Sequence, residues 1–374
     1  MSGTRNDMHG IIFSYERQNA LRELAEPRCA GSIPFGGRYR AVDFMLSNMV
    51  NADITDVGVV MHGKFQSLID HLGNGKAWDL SRKHGGLKLL PLAASLDVSG
   101  EHEFYGRVAA LGGVMSYLRG IRQSYVVLAS SDIIVNLPLK DVLATHIASG
   151  ADITAVCTGD LGASPNSPCF TLDEQSFVSA SAVGLPTPRG HRSLEIFLLS
   201  TEKLISLVED CLSRNITSWS RGVLMGAGRE LTVKAYVWDG YAARITGLQQ
   251  YYEKSCELLD PAVAKELFCL ERPIRAKDSG HPSTYIDANV RCCSSLIADG
   301  CIIEGNVVNS ILFPGVRVEK GAEVSNCILF KDVHVGAGSV LRCAILDKRV
   351  RVLPDRTLMG HEKYPLVVAK DSEI

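Results

Sequence analysis

The chain reads as two domains: an N-terminal α/β domain built on a mostly parallel sheet, and a C-terminal parallel β-helix. Three observations predict this. A 17-residue repeat fills 309–325 (NSILFPGVRVEKGAEVS), 326–342 (NCILFKDVHVGAGSVLR) and 343–359 (CAILDKRVRVLPDRTLM). Short apolar runs alternate with amphipathic stretches from the N-terminus to about residue 255. Between them, 260–284 carries three prolines and little periodicity.

The repeat holds one phase. Ile311, Ile328 and Ile345 correspond, as do Leu312, Leu329 and Leu346, Val316, Val333 and Val350, and Val318, Val335 and Val352. A compressed copy precedes them, with Leu296, Gly300 and Ile303 standing for Ile311, Gly315 and Val318. Three hexapeptide-like sides make one β-helical coil of about 17 to 18 residues. A single coil cannot bury its apolar face, whereas stacked coils can.

Upstream, the expected strands are 10–14 (GIIFS), 57–61 (VGVVM), 87–92 (LKLLPL), 125–129 (YVVLA), 152–157 (DITAVC) and 194–199 (LEIFLL). Helices are expected at 41–50, 64–72, 108–118, 139–148, 200–212 and 245–259. The first of these places Val42, Met45, Leu46 and Met49 at helical spacing. Strand–helix alternation argues for a sheet covered on both faces. The proline-bearing 159–190 reads as a loop-rich insertion or short hairpins. The domains are accordingly set at 1–255 (α/β), 256–284 (linker) and 285–374 (β-helix).

Composition narrows the partners. The 374 residues carry a formal net charge of −2, which gives no basic field for nucleic acid or an anionic membrane surface. No apolar run approaches the length of a membrane span. Eleven Cys lie scattered in apolar runs without a CxxC pair, the usage of a reduced cytoplasmic protein.

Ligands of open α/β sheets sit at the carboxyl ends of the strands. A phosphate-cradling loop there needs glycine, so that backbone N–H groups can approach the anion. After GIIFS the chain offers Tyr15-Glu16-Arg17-Gln18-Asn19-Ala20, with no glycine and with a carboxylate in the anion's path. That loop reads as degenerate. A different ligand, held by Arg17 and Arg22, is the alternative.

The segment 28–48 (RCAGSIPFGGRYRAVDFMLSN) resembles the RAKPAVPFGGxYRIIDFxLSN block of ADP-glucose pyrophosphorylases. Gly240-Tyr241 and Gln249-Gln250-Tyr251-Tyr252 resemble that family's GYWxDVGTxxxYY stretch, and the repeat resembles its tail. Nearly the whole chain is covered. The resemblance implies a nucleotidyltransferase-like, Rossmann-like N-domain, a left-handed β-helix and a tetramer making ADP-glucose for glycogen.

Departures from the family pattern then set the expected function. The GGxGxRL loop falls on Tyr15 to Leu21, with Tyr15, Glu16 and Gln18 for its glycines and Ala20 for its arginine. The lysine of RAKP falls on Ala30. One metal-binding aspartate survives as Asp132, flanked by Ser131 and Ile133, while the other falls on Arg244. The DFGKD segment reads Ser218-Trp219-Ser220-Arg221-Gly222, and the EKP motif has no visible counterpart. At about 4 Å and an effective dielectric near 20, unit charges interact by on the order of 4 kcal/mol. A guanidinium in place of a carboxylate therefore repels the dication that the reaction needs. No catalytic residue and no cofactor are expected in this chain. Asp132 remains a candidate for residual metal or nucleotide contact, or a plain turn residue.

This pattern resembles the non-catalytic, D-type subunit of the family. The resemblance implies a regulatory role in a heterotetramer with a catalytic pyrophosphorylase subunit that would hold Mg²⁺. Catalysis by this chain on its own, and a sugar-phosphate-sensing module without a partner, are the rival readings. By the same resemblance Arg28 and Arg40 are candidates for a sugar-phosphate effector, and Arg38 adds a third guanidinium. Arg40 paired with Asp43 at the helix start is the structural alternative. Lys348, Arg349 and Arg351 would complete a basic cleft or form a solvated face. His334 reads as solvent-facing rather than as an acyltransferase base, and Trp78 and Trp219 as packing residues.

Overall fold

The computed structural model describes residues 7–15, 19–92, 106–159, 167–183, 190–228, 230–278 and 280–374. Glu16, Arg17 and Gln18 lie outside these.

The N-domain is built on nine strands: β1 (Met8–Ser14), β2 (Asp56–Met61), β3 (Gly86–Pro91), β4 (Tyr125–Ser130), β5 (Ile153–Thr158), β6 (Cys169–Leu172), β7 (Val178–Ala182), β8 (His191–Ser200) and β9 (Val233–Val237). Their order is β7-β6-β8-β4-β1-β2-β3, with β5 beside β8 and β9 beside β5. The sheet is mixed rather than mostly parallel. β1, β2, β3 and β4 pair in parallel, as do β5 and β9. β8 runs antiparallel to β4, β5 and β6. The proline-bearing stretch is the cause: β6 and β7 form a hairpin that returns the chain as β8 in the opposite sense.

Alternation along β1 builds both cores. Met8 and Ile12 join the face packed by Val42, Met45, Leu46 and Met49 of the helix Ala41–Asn51, with Trp78. Ile11 and Phe13 join the other, with Val108, Leu204, Val208 and Trp219. Successive side chains of a strand point to opposite faces, so both sides of this apolar strand are buried. The helix expected over 108–118 divides into Arg107–Gly113 and Met115–Leu118, next to the Gly112-Gly113 pair. Among the described residues no helix is long and apolar enough to cross a membrane.

The repeat forms three five-stranded parallel sheets, one for each side of a β-helix. Registers join Ile311, Ile328 and Ile345, and Val318, Val335 and Val352. The compressed copy holds as well, with Leu296 opposite Ile311 and Ile303 opposite Val318. Corners recur with the repeat. Asn309, Asn326 and Cys343 take φ of 47°, 52° and 48°, and Gly315, Asp332 and Arg349 take 77°, 60° and 59°. Glycine, asparagine and aspartate tolerate that left-handed region best, which explains their recurrence at the turns.

The doublets Ile-Leu, Ile-Leu and Ile-Leu carry a second message. Leu312, Leu329 and Leu346 fill the inside of the β-helix. Ile311, Ile328 and Ile345 point the other way, into a core shared with Phe35, Phe44, Tyr251 and Tyr252 of the N-domain. One β-helix side is therefore buried on both faces. At its edge Arg28 donates two hydrogen bonds to Asp347, at 2.7 and 2.8 Å, with both residues at most 1% exposed. Tyr252 Oη donates to the Asn326 carbonyl at 2.7 Å, and Tyr251 Oη to that of Pro34 at 2.8 Å.

The stretch 256–284 is a packed connection with its own helix, Pro261–Leu267. Asp260 caps it by accepting from the Ala262 N–H at 2.8 Å, and Pro261 takes its first turn. Asn136 Nδ2 then donates to the carbonyls of Leu267 and Arg272, each at 2.8 Å.

Two outcomes are expected in denaturant unfolding. Arg28→Met leaves the Asp347 carboxylate buried without its partner and should cost about 3–5 kcal/mol. The Arg28→Met/Asp347→Leu double variant should recover most of that loss; equal loss in both would mean the tie contributes through packing alone.

Burial lowers His9 from 6.5 to about 4, and lowers His71 and His146 as well. The unfolded chain thus takes up protons on these rings before the folded one does. Stability should fall as pH drops below 6.5, by roughly 2 kcal/mol at pH 5 from His9 alone. His9→Gln should flatten that part of a pH series of melts.

Candidate functional site

Buried side chains gather at the carboxyl ends of β1 and β4. Tyr15 is buried, with its ring edge-on to Phe13 at 6.0 Å. Ala20 is exposed, and Arg22 is exposed in a left-handed backbone conformation (φ 49°). Ala30 is buried, and its neighbour Gly31 abuts Ser14 and Ser131: a Cβ there would stand 2.4 and 2.8 Å from their hydroxyl oxygens.

Asp132 follows β4, and Arg244 ends the short strand Ala242–Arg244, which pairs antiparallel with Ile133–Val135. The register sets Arg244 opposite Ile133, one residue from Asp132. Its Nε donates to Asp132 Oδ2 at 3.0 Å, and its Nη1 donates to Ser167 Oγ at 2.6 Å. Arg244 Nη1 also stands 3.7 Å from Glu195 Oε1. The other Glu195 oxygen meets Arg107 Nη1 at 2.7 Å. Arg107 in turn lies over the rings of Phe13 and Phe197. All four charged residues are at most 8% exposed. Among the described residues, two guanidinia thus face two carboxylates in this buried group.

This arrangement does not fit a divalent cation at Asp132. The guanidinium of Arg244 stands where a metal would approach that carboxylate, and it repels one. Among the described residues no cluster of three or more His, Cys, Asp or Glu is arranged to hold a metal. Glu195 adds a backbone feature. Its φ of 57° lies at a bulge between Ser193 and Ile196 in the β8–β5 pairing, and its N–H donates to Ser193 Oγ at 3.0 Å. A left-handed non-glycine residue is costly and persists only where its surroundings enforce it. Arg107, Ser167 and Glu195 were not singled out from sequence. The one signal was the lone charge of Glu195 within an apolar strand.

The cations of the RYR block separate. Arg28 is committed to Asp347 and also donates to the Leu24 carbonyl at 3.3 Å, so its guanidinium is not on an open surface. Arg38 is exposed, with its guanidinium over the Tyr39 ring. Arg40 is half-buried, and its Nη1 donates to the Ser67 carbonyl at 2.6 Å and to the Ser67 hydroxyl at 3.1 Å. Asp43 accepts the backbone N–H of Arg40 at 3.0 Å and meets His71 at 2.6 Å, so no Arg40–Asp43 side-chain pair forms.

The β-helix cations separate too. Arg349 pairs with Asp371 at 2.6 and 2.8 Å on the surface. Arg351 is exposed, in register with His334, which is itself 2.8 Å from Glu319. Lys348 alone reaches the N-domain cations. Burial, then Arg40 and Arg28, push its ammonium down to about 7, against the pull of Asp347. Lys370, from the C-terminal turn, adds to that repulsion. Trp78 and Trp219 are buried packing residues, as expected.

Comparison with known proteins agrees with this architecture. A nucleotidyl transferase family model matches residues 20–166, and a GlmU-like C-terminal hexapeptide model matches 283–364. The chain is 35% identical to the glycogen biosynthesis protein GlgD of Bacillus subtilis (strain 168), over 98% of this chain and 96% of the relative. It is 36% identical to GlgD of Geobacillus stearothermophilus over the same shares. A glucose-1-phosphate adenylyltransferase of Geobacillus stearothermophilus is 29% identical, over 81% of this chain and 79% of the relative. The chain belongs to the ADP-glucose pyrophosphorylase family, alongside its GlgD members.

Proposed function

We propose that this chain acts in glycogen biosynthesis as the non-catalytic, regulatory subunit of a heteromeric glucose-1-phosphate adenylyltransferase. In that complex a catalytic subunit of the same family would hold Mg²⁺ and convert ATP and glucose 1-phosphate to ADP-glucose and pyrophosphate. The Arg244–Asp132 pair carries this reading. Nucleotidyl transfer relies on positioning and on neutralising phosphate charge with a metal and cations. Here the surviving aspartate is neutralised from within the chain, and the loop after β1 has no glycine.

The regulatory half of the reading rests on the cations between the domains. Arg40, Lys348 and Lys370 form the group that a sugar-phosphate effector would engage. Arg38 is exposed on the surface, and Arg28 is held by Asp347.

The purified chain with ATP, Mg²⁺ and glucose 1-phosphate should turn over below about 1 s⁻¹, the low end of ordinary enzyme rates. Co-expressed with a catalytic subunit, it should co-purify as a heteromer of defined mass. Robust turnover alone, or no association with the partner, would each refute the proposal.

In that complex Arg40→Ala should weaken sugar-phosphate activation about ten- to hundredfold, the scale of losing a charged hydrogen bond. The unactivated rate should hold. Overlaid activation curves with unchanged melting would place the effector elsewhere.

A further inference from the structure

The sheet has a second polar end. A cavity of about 1260 Å³ lies at the amino ends of β1, β2, β3 and β4, opposite the crevice described above. The loops that lead into these strands wall it, together with the helix Met115–Leu118. Its deep side is built from polar groups. His9, on β1, is 4% exposed, and its Nε2 lies 2.8 Å from Tyr117 Oη. Nδ1 of the same ring makes no hydrogen bond among the described residues, although Gln123 stands beside it. Gln123 Nε2 instead donates to Asp56 Oδ2 at 2.5 Å. Two glycines keep this arrangement possible. A Cβ at Gly58 would stand 2.8 Å from Tyr117 Oη, and one at Gly85, whose φ is 80°, would collide with the Asp56 carboxylate. An unmade hydrogen bond at a buried ring nitrogen is costly, and His9, Tyr117, Gln123 and Asp56 all line the cavity.

Charge in the lining is mixed. Lys83, Lys88 and Arg122 contribute cations, and Asp7 and Asp56 contribute carboxylates. Two further members are engaged elsewhere: Asp53 with Lys140 at 2.5 Å, and Arg82 with Asp79 at 2.8 Å. Lys88 also lies over the Tyr117 ring, 5.4 Å from its centroid. A strong anion brought here would meet the carboxylates, and a cation would meet the ammonium and guanidinium groups. Burial keeps His9 uncharged at neutral pH. A hydroxyl suits this setting. It donates to a carboxylate or an amide oxygen, and it accepts from lysine, arginine or an imidazole N–H. Either tautomer of His9 is satisfied by it. The volume exceeds the roughly 300–1,000 Å³ of most small-molecule sites, which leaves room for more than one sugar ring.

We propose that this cavity binds a neutral carbohydrate, with its hydroxyls on His9, Asp56, Gln123 and Lys88. The site is separate from the Arg40 group, and it does not depend on the effector reading above. A free sugar and the end of a glucan chain present the same chemistry and differ in length.

Calorimetric titration of the full chain with maltotetraose and with glucose tests this, together with its migration in native gels cast with and without glycogen. Saturable binding of maltotetraose and retardation by glycogen are expected. Asp56→Ala and Lys88→Ala should each weaken maltotetraose binding about tenfold or more, the scale of one hydrogen bond to a charged group. Lys88 is exposed on β3, so its variant should melt like the parent and separates lost binding from lost folding. Arg40→Ala should bind the sugar as the parent does. Tighter binding of maltotetraose than of glucose assigns a glucan chain, and equal binding assigns a single sugar. No binding of either sugar, with no retardation, overturns the proposal. So does binding that both variants leave unchanged, which would put the carbohydrate elsewhere. Inorganic phosphate bound more tightly than either sugar, and lost in Lys88→Ala, overturns the neutral class in favour of an anion.

Discussion

One side of the β-helix is buried twice, and the architecture depends on that constraint. Its leucines close the helix from within, while its isoleucines are the floor on which the N-domain sits. An exposed β-strand face could be polar; this one cannot, because it serves two cores at once. Each such aliphatic side chain contributes about 1.5–3 kcal/mol on full burial. The Arg28–Asp347 pair at the margin adds directionality. An apolar surface would tolerate sliding by a fraction of a coil, whereas a buried ion pair, with Arg28 Nη2 donating to both Asp347 oxygens, resists displacement.

Charge is handled in two ways in this molecule. At the carboxyl ends of the strands, two guanidinia and two carboxylates face one another in a buried group. Between the domains, Arg28 and Asp347 make a single buried pair. The chain thus keeps the fold of a nucleotidyltransferase while holding these charges in ion pairs of its own.

Much of this was readable beforehand, and the misses have physical causes. Strict periodicity made the β-helix registers visible, down to the compressed copy at Leu296 and Ile303. The apposition of Arg244 and Asp132 followed from matching the family pattern, and the hydrogen bond between them was found in the structure. The helix Pro261–Leu267 was missed although its Asp-Pro start is a helix signal; three prolines nearby masked it. The Ile-Leu doublets were read as repeat markers, because one strand cannot reveal that a second domain covers it. Arg28 and Asp347 are 319 positions apart, and no local pattern joins them. Glu195 depends on a bulge, which alternation in a strand does not encode.

The quartet of Arg107, Asp132, Glu195 and Arg244 also bears on how such a chain could change over generations. Exchanging Arg244 alone for a carboxylate would leave three acids facing one guanidinium in a water-poor crevice. That intermediate would be unstable before it was useful, since buried charges without partners are expensive. Replacing Glu195 first would strand Arg107 instead. The four residues are interdependent, and their effects should not add. A lineage carrying this arrangement therefore has no easy single-step change at any of the four positions. The ion pairs that hold the crevice together thus also constrain how its composition can drift.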